Sequence, residues 1–97
     1  MDTHCYVVTY DIGDPKRWKR LFNLMKSLGE HVQLSVFRCD LEPMQVVRLK
    51  GHIEEIIKHD EDQVILMDLG PSTATVLQEI QVIGRPKVFR LPGPTVA

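Results

Sequence analysis

Only two cysteines stand in the 97 residues, Cys5 and Cys39, widely separated and with no C-x-x-C pair. That excludes zinc-ribbon and thioredoxin-like readings, and both thiols lie in strand-like apolar runs where a reduced, buried state is expected. No apolar run approaches the length of a membrane span. Asp2 and His4 sit where a signal peptide carries a basic start and an apolar middle, so a cytoplasmic protein without membrane contact is expected. The chain also lacks a G-x-S-x-G elbow, a glycine-rich phosphate loop and a cysteine–histidine nucleophile pairing. Aromatic residues are only 6%, and no RNP1-type string surrounds Tyr6, Tyr10 and Phe37, which therefore read as core. Repeats, linkers and low-complexity segments are missing too, so residues 1–97 are expected to form one domain with a core large enough to fold without disulfides.

What is present is charge, unevenly placed. The net charge is −1, but residues 14–38 hold six bases (Lys16, Arg17, Lys19, Arg20, Lys26, Arg38) against two acids. Residues 40–68 reverse this, with eight acids against three bases. A local cationic patch is thus expected on a nearly neutral protein.

Hydrophobic periodicity places the elements. Residues 4–11 alternate β-branched, aromatic and small side chains, as a largely buried strand does. Asp14 then offers an oxygen to the first free amides of a helix, and Pro15 stands where its missing N–H costs nothing. Trp18, Leu21, Phe22, Met25 and Leu28 recur on one face of that helix; Lys16, Lys19, Arg20, Asn23 and Lys26 fall on the other, and Gly29 is read as a left-handed stop. Residues 31–41 are β-rich, as one bent strand or two short ones joined near Ser35. Pro43 opens a second helix with Val46, Leu49, Ile53, Ile56 and Ile57 on one face, followed by the acidic turn 59–62 and an apolar strand over 64–69. A turn of helix over 72–78 and short strands over 80–83 and 87–91 complete the chain. Strand, helix, one or two strands, helix, strand is the order of a ferredoxin-like α+β sandwich, βαββαβ, two helices on one face of an antiparallel sheet. The tail 80–91 is left over as a strand extension, expected to pair with the sheet edge of a second copy in a homodimer.

Asp11 ends the first strand just where the chain turns into the basic helix. One reading makes it a turn carboxylate accepting hydrogen bonds from the following amides. The other makes it a hard oxygen ligand for Mg²⁺ or Mn²⁺, ions that take one or two carboxylates and fill the remaining positions with water and substrate phosphate. Two copies across a twofold axis supply two such carboxylates. The basic helix face, through Lys16, Arg17, Lys19 and Arg20 and extended by Arg38, is the candidate surface for a nucleic-acid backbone. His52, Glu55 and His59 lack H-E-x-x-H spacing and share their helix face with Arg48, so they read as a solvated surface.

Tyr10-Asp11-Ile12-Gly13-Asp14, the basic helix through Lys16, Arg17 and Arg20, and Gly29-Glu30-His31-Val32-Gln33-Leu34-Ser35-Val36-Phe37 together resemble the CRISPR-associated protein two family. That family shows a strand ending in Y-D-I, a basic helix, and then G-x-x-V-Q-x-S-V-F. The resemblance covers essentially the full length, including a run like residues 80–84 after the last core strand. It implies a ferredoxin-like homodimer that works in prokaryotic CRISPR immunity with the integrase, protein one, to insert new spacers. It further implies a metal-dependent endonuclease on single-stranded RNA or duplex DNA, with Asp11 as the catalytic, metal-binding aspartate. The rival expectation is a non-catalytic dimeric adaptor that grips DNA through its basic helices and bridges integrase subunits.

Overall fold

The computed structural model describes residues 2–73 and 80–85. Six elements follow in order: β1 (His4–Asp11), α1 (Pro15–Leu28), β2 (Glu30–Gln33), β3 (Val36–Leu41), α2 (Pro43–Ile56) and β4 (Gln63–Pro71). The strands form one sheet in the order β2-β3-β1-β4, and every neighbouring pair is antiparallel. This is the ferredoxin-like sandwich. The stretch 31–41 forms two strands, β2 and β3, turned at Leu34 and Ser35. Among the described residues no helix is long and apolar enough to cross a membrane.

Strand alternation decides what faces the helices. Val8 lies opposite Phe37 and Leu66, and Tyr6 lies opposite Cys39, so these positions share one side of the sheet. They pack with Leu21 and Met25 of α1 and with Val46, Leu49, Ile53 and Ile56 of α2 into one core. The intervening positions, Val7, Thr9, Val36, Ile65 and Met67, fall on the face the helices leave uncovered. Both cysteines are free and buried. Burial pushes the Cys39 thiol up to about 12 and raises that of Cys5, so neither forms a thiolate near neutrality.

Local signals explain the helix starts. Asp14 accepts a hydrogen bond from the Arg17 amide at 2.9 Å, with Pro15 in the first turn. At α2 the Gln45 side-chain oxygen accepts from the Glu42 N–H at 2.7 Å, and Pro43 follows directly. Gly29 ends α1, but not as a left-handed stop: its φ of −157° and ψ of −166° are extended. Glycine is needed there for close approach, because a Cβ would run into the Arg38 carbonyl and the Cys39 sulfur of β3. The residue is therefore part of how α1 hands the chain to β2 alongside β3.

Of the expected tail strands, 87–91 lies outside the described residues, and 80–83 is not a strand within the single chain. Residues 74–79, which hold most of the expected helical turn, also lie outside the described residues.

Candidate metal and nucleic-acid site

Asp11 is the last residue of β1, a central strand paired to β3 on one side and β4 on the other, and its own partner is Gln63 of β4. It is in phase with Val7 and Thr9, on the face without helices, and it is exposed. Among the described residues nothing donates a hydrogen bond to its carboxylate, so the turn-carboxylate reading is not what the geometry shows. The next residue, Ile12, turns back into the core at 8% exposure. Its predecessor Tyr10 donates its backbone N–H to the Ser35 carbonyl at 3.1 Å. Ser35 also accepts from Trp18 Nε1 at 3.0 Å, so one turn residue ties the end of β1 to α1. Burial pushes the Tyr10 phenol up to about 12, which keeps its proton in place at neutral pH.

Lys16, Lys19 and Arg20 are exposed on the outer side of α1, and among the described residues none of the three is in an ion pair. Arg17 is different. Its Nε donates to Asp62 Oδ2 at 2.7 Å and its Nη2 to Asp62 Oδ1 at 3.2 Å, a two-pronged pair with the acidic turn 45 residues away. Asp62 also accepts from the Lys58 amide at 2.8 Å, and its side chain is only 1% exposed. The acids of this turn, distant in sequence from the basic helix, therefore clamp its first turn. Arg17 is a structural cross-link on the flank of the cationic surface rather than an open member of it.

The Arg17 guanidinium, followed by the Lys58 amide, holds the Asp62 carboxyl below the usual carboxylate range. A depressed folded-state pKa gives stability that is full above about pH 4 and fades as the pH falls through the folded value. Asp62→Asn is accordingly expected to lower the melting temperature near neutrality, with the gap from wild type closing only as the pH falls below about 4 and through the depressed folded value. Thermal melts over a pH series check both limbs.

Arg38 requires a correction. Opposite Val7 and out of phase with Phe37 and Cys39, it lies on the sheet face away from α1 and cannot extend the helix patch. It is 3% exposed, donates to Asp40 Oδ2 at 2.9 Å and to Glu30 Oε1 at 3.3 Å, and lies against the Cys5 thiol. Asp40 in turn accepts from the Ser72 hydroxyl at 2.6 Å. This network joins β2, β3 and the chain leaving β4. Strand parity sets its face, and its burial comes with the Glu30 and Asp40 carboxylates and the chain leaving β4, which no local pattern marked.

His52, Glu55 and His59 are all exposed, and among the described residues no cluster of three or more metal-ligating side chains forms. The sequence-marked residues therefore divide into two places. Asp11 stands at the end of a central strand on the uncovered sheet face, and Lys16, Lys19 and Arg20 stand on a helix packed against the other face, joined to it through residues 12–14.

The class is thus a ferredoxin-like α+β protein with a strand-end carboxylate and a separate cationic helix. The family follows from comparison with known proteins: the model of the CRISPR associated protein Cas2 family matches residues 4–75, and the chain belongs to that family. A CRISPR-associated endoribonuclease Cas2 of Geobacter sulfurreducens is 42% identical over 82 residues, 84% of this chain and 85% of that one. A second, from Rhodospirillum rubrum, is 46% identical over 69 residues, 71% and 68% of the two chains. The crystal structure of Streptococcus pyogenes Cas2 superposes with a TM-score of 0.74 at 28% identity, covering 82% of this chain and 99% of that one.

Proposed function

We propose that this chain is a metal-dependent endonuclease of CRISPR immunity, a cytoplasmic homodimer that cleaves single-stranded RNA or duplex DNA and works with the CRISPR integrase during spacer acquisition. The observation that carries this reading is Asp11: an exposed carboxylate, without a partner among the described residues, fixed at the end of a central strand. Its hard oxygens fit Mg²⁺ or Mn²⁺, but among the described residues no set of three or more ligating side chains forms within one chain. The uncovered sheet face supports dimerisation, since Ile65 and Met67 remain 44% and 42% exposed on the same side as Asp11. A second copy placed on that face brings a second Asp11, and in this reading the tail 80–91 pairs with its sheet edge.

The two Asp11 carboxylates would hold a divalent ion, which when bound would supply polarisation of a phosphoryl oxygen and a more acidic water. The chain's own part is to fix the two carboxylates in place, and to hold the nucleic-acid backbone with Lys16, Lys19 and Arg20. Tyr10 supplies no proton at neutral pH. With no general base placed at Asp11 among the described residues, a slow nuclease is expected. Labelled RNA and duplex DNA incubated with Mg²⁺, with Mn²⁺, and with chelator test the reading. Cleavage is expected only with metal and is regained on adding Mg²⁺ back; cleavage that persists in chelator overturns the metal site.

The placement of the cationic helix on the other side of the sheet favours a second reading, an adaptor whose grip on DNA is independent of cleavage. Here Lys19→Glu with Arg20→Glu abolishes spacer acquisition while Asp11→Ala leaves it intact. Arg17 is not used for this comparison, since its reversal breaks the Asp62 pair.

A further inference from the structure

The end of β1 outruns one of its two neighbours. Its registered pairing with β3 stops at Thr9 and Val36, whereas pairing with β4 continues through Tyr10 and Val64 to Asp11 and Gln63. On the β3 side this overhang is held by the hydrogen bond from the Tyr10 N–H to the Ser35 carbonyl, 3.1 Å, one residue before the Asp11 carboxylate. Ser35 itself belongs to no strand. With Leu34 it makes the tight turn between β2 and β3, so its own position needs a cause.

That cause lies on α1. Trp18 Nε1 donates to the Ser35 hydroxyl at 3.0 Å, across 17 residues of chain. The indole has little freedom of its own: it stacks on Phe22 with centroids 4.9 Å apart and planes 14° from parallel, and the Trp18 backbone N–H is bonded to the Asp14 carbonyl at 2.9 Å. Trp18 also stands between Arg17, which is tied to Asp62, and Lys19 of the cationic face. A path of two hydrogen bonds thus runs from the basic helix through Ser35 to the strand end, and it joins the carboxylate to the helix through contacts other than the connecting residues 12–14.

We infer that Ser35 is a positioning residue for Asp11, its hydroxyl accepting from Trp18 and its carbonyl from Tyr10, so that the overhanging end of β1 is held on both sides. The inference rests on the metal reading proposed above and deepens it by naming what keeps the ligand in place. Neither Ser35 nor Trp18 would touch the ion. A strand end bonded on one side only is free to twist, and that freedom matters most to an ion of strict geometry. Mg²⁺ demands a near-ideal octahedron, whereas Ca²⁺ accepts irregular arrangements of oxygens. Loosening the turn therefore changes which ion the site prefers as well as how tightly it binds.

The test reads Mn²⁺ binding to the full chain without nucleic acid, from the electron paramagnetic resonance signal of the free ion, with Mg²⁺ and Ca²⁺ as competitors. Ser35→Ala removes the side-chain acceptor and keeps the carbonyl; Trp18→Phe removes the donor and keeps a ring against Phe22. Each is expected to weaken Mn²⁺ and Mg²⁺ about tenfold, as loss of an outer support for a metal ligand does. Ca²⁺ is expected to change by no more than about twofold. The double variant binds no more weakly than either single, because the same bond is lost in all three, and Ser35→Thr restores the wild-type affinity. In cleavage assays the Mg²⁺ needed for half-maximal rate rises with the binding constant while half-saturating nucleic acid is unchanged, since Lys16, Lys19 and Arg20 are untouched. Melting curves set every measurement below the unfolding transition of the variant used. Wild-type Mn²⁺ affinity in both single variants overturns the inference, as do losses that add in the double, an equal loss for Ca²⁺, or no rescue by threonine. Should wild type bind no Mn²⁺, or Asp11→Ala bind it equally well, the metal reading falls and this inference with it, whereas binding that needs Asp11 but ignores Ser35 removes only the positioning role.

Discussion

Asp11→Ala protein is expected to lose metal-dependent cleavage by roughly a hundredfold or more while melting within about 0.5 kcal/mol of wild type. The two halves of that expectation come from the same geometry. The Asp11 carboxylate is exposed and has no partner among the described residues, so its removal breaks no hydrogen bond and opens no cavity there. Its backbone still pairs with Gln63, and alanine is tolerated at the end of a strand. On the proposed site, loss of the carboxylate nevertheless removes the ligand that each chain of the dimer gives the ion. Cleavage of labelled RNA and duplex DNA at fixed Mg²⁺, read beside thermal melts, separates this from a folding defect. Equal cleavage by wild type and variant assigns the activity to a contaminant and removes the catalytic role.

Arg38→Ala is expected to do the opposite, destabilising the fold by roughly 3 kcal/mol without a specific effect on nucleic acid. Arg38 is nearly fully buried and holds the carboxylates of Asp40 and Glu30, whose side chains are 28% and 20% exposed. Removing the guanidinium leaves two like charges on neighbouring strands with their shared counter-ion gone. The figure sits at the low end for a broken buried pair because both carboxylates keep some contact with water. For a domain of this size it corresponds to a melting temperature lower by about 12 °C or more. Arg38→Lys recovers only part, since one ammonium does not reproduce a fork that spans two acceptors. Below the variant's melting transition its affinity for duplex DNA is expected to match wild type. A specific loss of DNA binding in a fully folded variant returns Arg38 to the interface.

The contrast between these two residues shows where the sequence was informative. The position of Asp11 and the cap at Asp14 were legible because both are set within a few residues: a strand ends, a cap accepts an amide, a proline follows. The amphipathic stripe of Trp18, Leu21, Phe22 and Met25 was legible for the same reason. Arg17 and Arg38 were not, since what decides their fate is distant. The partner of Arg17 arrives 45 residues later in the turn after α2, and Arg38 is on the far side of the sheet because β3 begins at Val36 and so sets its parity. Gly29 was correctly read as a terminator, but from the wrong cause. Its requirement lies in the nearness of β3, which no local rule describes.

The position of β1 between β3 and β4 has a consequence for timing. Amides bonded on both sides of an interior strand exchange with solvent only when the whole domain opens, so the strand that ends in Asp11 belongs to the slowest-exchanging part of the molecule. The carboxylate is then a fixed post, and the ordering it requires is complete once the chain has folded. In the proposed dimer, whatever adjustment admits a phosphate comes from residues 12–14 at its foot or from the second copy. Deuterium uptake should accordingly be slow up to Tyr10 and rise sharply at Gly13.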